Sequence, residues 1–206
     1  MALLHAAEIR PSKIELIRAW APTQPWFAGD DLGLVAIGAY RFDDPEGEVG
    51  IETHLVQSGD GPILQIPMTY RGAPLAGADE WLIGTMEHTV LGDRWVYDGC
   101  GDPVYAAALA STILTGGAEA ALEREADGVR TVVEPNFRVV GSGSSDDIGS
   151  VGLVDVRDQD GSTLVVTSVA DIEVLRVLED TFALGGETLT GIWGGRERPT
   201  LLAVAR

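Results

Sequence analysis

Glu48-Val49-Gly50-Ile51-Glu52-Thr53-His54-Leu55 sets the reading of the fold: Val49, Ile51, Thr53 and Leu55 alternate with Glu48, Gly50, Glu52 and His54. A period of two is the pattern of a β-strand with one apolar and one wet face. The strand-like character extends from Leu34 to Tyr70, broken at Asp43-Asp44-Pro45-Glu46-Gly47 and at Ser58-Gly59-Asp60-Gly61-Pro62. Both breaks consist of residues that favour tight turns. Consecutive hairpins of this kind predict an antiparallel sheet.

Two helices are signalled on either side of this region. Ser12 is a good N-cap for a helix ending at Trp20, with Ile14, Leu16, Ile17 and Trp20 as its apolar stripe and Pro22 as its stop. Asp102 caps a second helix, Pro103 suits its first position, and Gly116-Gly117 ends it, which predicts a helix over Pro103–Thr115. Its alanines permit close packing against a sheet. Beyond it, the segments Val129–Val140, Ile148–Val156, Thr163–Val169, Thr188–Trp193 and Thr200–Ala205 read as further strands. The expected fold class is therefore α+β, with two small antiparallel sheets each packed with a helix. The boundary lies near residues 90–102 and gives subdomains of residues 1–95 and 96–206 that share a small interface.

Composition narrows the functions available. Thirty-two acidic against fourteen basic residues give the 206-residue chain a formal charge of −18. A surface of that sign repels nucleic acid backbones and anionic lipid, so neither is an expected partner. Lys13 is the sole lysine, and any chemistry that needs a primary amine on a side chain must use it. The single cysteine, Cys100, excludes an intramolecular disulfide framework and fits a reducing compartment. No apolar run is long enough to span a bilayer, and Met1–Arg10 has no signal-type core, so the expected location is the cytoplasm.

Individual motifs give little chemistry. Gly141-Ser142-Gly143-Ser144-Ser145 lacks the lysine of a phosphate-binding loop and is followed by Asp146-Asp147, so it reads as a turn. Asp98, Cys100 and Asp102 could approach a metal, but Gly99 and Gly101 mark a turn and Asp102 already serves as a cap. His5, His54 and His88 have no catalytic or ligand spacing and read as surface or structural residues. No metal or cofactor is expected. The aromatic residues Trp20, Trp26, Phe27, Trp81 and Trp95 read as core packing of the first sheet, with an exposed platform for a sugar or a partner as the alternative.

Trp20-Ala21-Pro22-Thr23-Gln24-Pro25-Trp26-Phe27-Ala28-Gly29 resembles the opening Trp…Gln-x-Trp-Tyr/Phe-x-Gly signature of the amino-terminal cap domain of maltokinases and related actinobacterial sugar kinases. The stretch from Asp98 to Gly116 is similar to the segment that closes the cap, and Glu134-Pro135-Asn136-Phe137-Arg138-Val139-Val140 through Arg176 is similar to the small kinase lobe. The similarity spans most of residues 14–180. It implies a cystatin- or monellin-like cap followed by a small-lobe-like subdomain. On this resemblance Trp20, Gln24, Trp26, Phe27 and Gly29, with Trp81 and Trp95, are the candidate partner or ligand residues.

The departures from the family pattern shape the functional expectation. Where the kinases carry an ATP-gripping lysine, the corresponding run here is Asp171-Ile172-Glu173-Val174-Leu175-Arg176, with Glu173 at the lysine position. A carboxylate there repels nucleotide phosphates. The chain reaches only one more strand, so the large lobe with its catalytic aspartate and magnesium ligands is expected to be missing. The implied function is a non-catalytic accessory or regulatory protein of trehalose, maltose or α-glucan metabolism, binding a protein or a carbohydrate. The amino-terminal part of a split sugar kinase and an unrelated small-ligand binder are the alternatives.

Overall fold

The quoted stretch forms the second strand of a meander, and its residues divide between two different cores. The structure is a computed structural model and describes residues 2–4, 8–27, 33–126, 129–179, 185–194, 196 and 198–206. In chain order the first half contains β1 (Ala2–Leu4), β2 (Ile9–Arg10), α1 (Lys13–Trp20), β3 (Leu34–Phe42), β4 (Gly50–Ser58), β5 (Ile63–Arg71), β6 (Leu82–His88) and β7 (Gly92–Asp98). Next come α2 (Pro103–Thr115), β8 (Leu122–Ala126), β9 (Val129–Val133), β10 (Phe137–Gly141), β11 (Leu153–Gln159) and β12 (Ser162–Thr167). The remaining strands are β13 (Asp171–Leu175), β14 (Val177–Leu178), β15 (Glu187–Trp193) and β16 (Thr200–Ala205).

The first sheet has the order β2-β6-β7-β5-β4-β3, with β14 also pairing β5; the second has the order β10-β15-β16-β13-β12-β11. All pairings within these two sheets are antiparallel, as the alternation predicts. A separate small sheet joins β1 in parallel to β8, which pairs in turn with β9. The expected strand Val129–Val140 is two strands, divided at Glu134–Asn136 and belonging to different sheets.

Both helices form as their caps dictate. The Ser12 side chain accepts from the Glu15 N–H while the Glu15 carboxylate accepts from the Ser12 N–H, a reciprocal capping box at the start of α1. Asp102 caps α2 by accepting from the Val104 N–H, and Gly116, at φ +70°, closes it in the left-handed conformation that glycine adopts without strain.

The face of β4 expected to be wet is buried. Leu16, Ile17 and Trp20 of α1 pack on Val56, Leu64, Ile66 and Met68, which share that face with Glu52 and His54. The opposite face, with Ile51 and Leu55, packs on Leu109 of α2 and on Phe137, Val165 and Leu202 of the second sheet. Alternation signalled the strand correctly, but its polar residues are internal because α1 covers them.

The halves also meet over more than the small interface expected. One continuous apolar core contains residues of both sheets and of α2. Strand β14, from the second half, adds to β5 of the first. The buried Gln65 amide donates to the carbonyls of Leu175 at 2.8 Å and Leu202 at 3.0 Å, and its oxygen accepts from the Tyr40 hydroxyl at 3.1 Å. Unpaired, such an amide would cost about 1–3 kcal/mol in an apolar core.

Candidate functional site

The turn after α1 brings the signature tryptophans into the interior. The Thr23 hydroxyl donates to the Trp20 carbonyl at 2.7 Å and the Gln24 N–H to the Ala21 carbonyl, which folds the chain back so that Trp26 lies 5.7 Å from Trp20, ring to ring. Trp20 is 9% exposed and Trp26 3%, so both are core residues and offer no open platform. Phe27 is half-buried against the same core. Gln24, also half-buried, donates from its amide to the Thr23 hydroxyl. Gly29 lies outside the described residues.

The other two tryptophans are elsewhere. Trp95 is half-buried on β7, opposite Arg71 and Thr85. Trp81, also half-buried, rests on the turn Gly99–Gly101, where a Cβ at Gly101 would stand 2.0 Å from the indole. The candidate aromatic cluster thus separates into a buried pair, Trp20 and Trp26, and two half-buried residues at different places.

Trp26 has a charged neighbour that the sequence did not announce. The Arg176 guanidinium lies 5.1 Å from the centre of the Trp26 ring and pairs with Asp98 at 2.5 Å, with side chains 0% and 1% exposed. Arg176 Nε also donates to the Thr163 hydroxyl. The one available signal was an arginine interrupting the apolar run Val174-Leu175-Arg176-Val177-Leu178, a position that favours either a surface kink or a buried partner. Burial raises the Asp98 carboxyl above its ordinary range against the pull of Arg176, and raises the Cys100 thiol well above its own.

The Asp98–Asp102 turn is accounted for by the fold. Asp98 accepts from the Cys100 N–H, while Asp102 accepts from Arg71 Nε at 2.7 Å and Nη2 at 2.6 Å, from the Thr69 hydroxyl at 2.7 Å and from the Val104 N–H. The two carboxylates thereby hold two different arginines. Among the described residues no group of three histidine, cysteine, aspartate or glutamate side chains could hold a metal.

On the opposite face of the first sheet, Glu52 gathers the lysine and a histidine. Its carboxylate meets Lys13 from α1, Arg41 of β3 at 3.0 Å, His54 at 3.3 Å and the Tyr70 hydroxyl at 3.3 Å. Burial alone would raise the Glu52 carboxyl, but His54, Lys13 and Arg41 hold it well below its ordinary range. The same burial, with the Glu52 charge, raises the Tyr70 phenol. Lys13 is thus committed to docking α1 on the sheet. His88 is also structural, its Nδ1 accepting from the N–H groups of Val90 and Leu91; His5 lies outside the described residues.

Glu173 stands on β13 beside Val204 of β16 and pairs with Arg206 at 3.0 Å. The Gly141–Ser145 loop uses its amides within the fold: Gly143 N–H donates to the Ile113 carbonyl and Ser145 N–H to that of Leu114 on α2, while Gly141 N–H donates to the carbonyl of Gly117 and Ser142 N–H to that of Thr188. A Cβ at Gly141 would lie 1.9 Å from the Thr112 oxygen, so the glycine is required for this approach and the amides are not presented to a phosphate.

Two shallow concavities lie on the surface of the described residues. One of about 240 Å³ lies over the outer face of β10 and β15, beside Arg138, Val140 and Ile192. The other, about 260 Å³, runs between Glu80-Trp81 and Leu153–Val156 of β11. Neither contains a paired acid and base or a converging set of metal ligands, and the second presents an indole and the free edge of a sheet. That geometry suits contact with another molecule better than bond making.

Residues 20–102 match the family model described as the maltokinase N-terminal cap domain. The matched segment holds the end of α1, strands β3 to β7 and the turn before α2, and it includes the Trp…Gln-x-Trp-Phe-x-Gly stretch that carries the resemblance. No curated protein matches the chain.

Proposed function

We propose that this chain is a non-catalytic accessory or regulatory protein of maltose, trehalose or α-glucan metabolism, working in the cytoplasm through a protein or carbohydrate partner. The metabolic setting is what the cap-type segment suggests. The reading is carried by the state of the two residues on which nucleotide handling would depend. On the resemblance, Glu173 corresponds to the strand position at which a sugar kinase needs a cation, and here its carboxylate pairs with Arg206. Lys13 is held by Glu52 on the far side of the first sheet, under α1. Phosphoryl transfer relies on a cation clamp that holds the nucleotide phosphates, and a carboxylate in the clamp position repels them.

The test is calorimetric titration with Mg-ATP together with a phosphotransfer assay on glucose, maltose, trehalose and glucosamine. Neither heat of binding nor turnover is expected from the wild type. Micromolar nucleotide affinity or turnover of any of these sugars would replace the accessory reading by that of a split sugar kinase. Glu173→Lys serves as the comparison: a gain of nucleotide binding in this variant alone supports the correspondence of β13 with the kinase strand.

A further inference from the structure

We propose that the groove between Trp81 and strand β11 is a docking site for an extended, basic segment of a partner protein, which adds to the second sheet as a further strand. The inference rests on the reading that the chain works through a partner, and it is independent of whether the chain binds nucleotide.

Three observations converge on this groove. First, β11 ends the order of the second sheet and pairs only with β12 among the described residues, so one side of its backbone has no strand beside it, although the Val156 N–H there donates to Asp155 Oδ1 at 2.9 Å and a docking strand must displace that bond or pass it by. An open edge of this kind is the element to which extended peptides add, with main-chain hydrogen bonds giving affinity and alternate side-chain pockets giving selectivity. Second, the groove of about 260 Å³ runs along this strand from Leu153 to Val156, and Trp81 forms its other wall. The indole is held in place because Gly101 has no side chain to displace it. A fixed, half-buried tryptophan beside an open strand is the kind of aromatic anchor that concentrates binding energy in a few contacts. Val154, 67% exposed on the same strand, adds apolar surface.

Third, the charge of the groove selects its occupant. Its only two charged lining residues, Glu80 and Asp155, are both acidic, and the chain around them carries −18. Asp155 is paired with Arg157 at the exposed surface, and the pairing of β11 with β12 shifts register between Leu153 and Asp155. An acidic, irregular edge discourages pairing with a second copy of this same acidic chain, which would bring like charges together. Asp155 is committed to the Val156 N–H through Oδ1 and to Arg157 through Oδ2. Glu80 is therefore the acid that favours a strand alternating lysine or arginine with apolar residues, its cations toward Glu80 and its apolar side chains toward Trp81.

The probe is a fluorescein-labelled, amidated Lys-Val-Lys-Val-Lys-Val peptide added to the full chain and followed by anisotropy, with amide and indole NMR shifts locating the contact. Its Glu-Val counterpart and a version with a central proline are the comparisons. Binding of the Lys-Val peptide is expected, weakening with added salt, shifting the amides of residues 153–156 and the Trp81 indole, and absent for the other two peptides. Trp81→Ala should lower affinity about tenfold or more. Glu80→Lys, at an exposed position that leaves the fold unchanged, should weaken it as well. No binding, equal binding of the proline version, unchanged affinity in Glu80→Lys, or shifts confined to other residues would each overturn the proposal. A positive Mg-ATP titration with normal peptide binding would overturn only the non-catalytic reading.

Discussion

Arg176→Met is the most informative single change, because it removes one half of an ion pair that is closed to solvent and joins the two sheets. The guanidinium reaches from the junction of β13 and β14 to Asp98 at the end of β7, with both side chains at most 1% exposed. Removing one partner of such a pair costs about 3–5 kcal/mol, since the other charge is left buried without compensation. Asp98 would keep the Cys100 N–H but lose its cation, and its carboxyl, already raised by burial, would rise further. An acid whose folded pKa exceeds its unfolded value takes up a proton on folding, so its stability deficit shrinks as pH falls through the raised pKa toward about 4. Urea unfolding, followed by tryptophan fluorescence, should therefore show a deficit against wild type that is largest at neutral pH and smaller in mild acid. Arg176 Nη1 finds no hydrogen-bond partner among the described residues, so the native pair is itself imperfectly satisfied. The double variant Arg176→Met/Asp98→Leu should accordingly recover most of the loss. A single-variant deficit under about 1 kcal/mol at pH 7, or one that deepens with acid, would refute this account of the interface.

Two further outcomes follow from the same packing. Glu52→Gln should cost about 2–3 kcal/mol at neutral pH by leaving Lys13, Arg41 and His54 facing an uncharged amide. Because the Glu52 carboxyl is held below its ordinary range, its contribution is present above about pH 4.5 and is lost as pH falls through the folded value; the variant's stability should be flatter over that acid limb, and parallel curves would refute the assignment. Gly141→Ala, whose new Cβ would stand 1.9 Å from the Thr112 oxygen, should lower the urea midpoint by the equivalent of about 2 kcal/mol or more, and a neutral result would show that the loop does not need its close seat on α2.

The elements legible in the chain were those set by neighbours in sequence. The N-caps of α1 and α2 are local hydrogen bonds accepted by the Ser12 and Asp102 side chains, and both helices begin where those residues place them. The period of two in β4 and the turns at Asp43–Gly47 and Ser58–Pro62 depend on local backbone preference, and they yield the antiparallel meander. The resemblance to the cap domain, which the match over residues 20–102 supports, was likewise read from a short run, Trp20 to Gly29. Tertiary structure alone decided what each face of that meander meets. Glu52 and His54 carry the pattern of a solvated face, yet α1 covers them, and nothing within β4 encodes a helix arriving from thirty or more residues away. The same holds for Arg176 and Asp98, separated by 78 residues and joined only once the second sheet closes over the first. It holds for the tryptophans too: an indole is equally suited to a core or to a binding surface, and burial, a property of the assembled fold, placed Trp20 and Trp26 inside while leaving Trp81 beside an open strand.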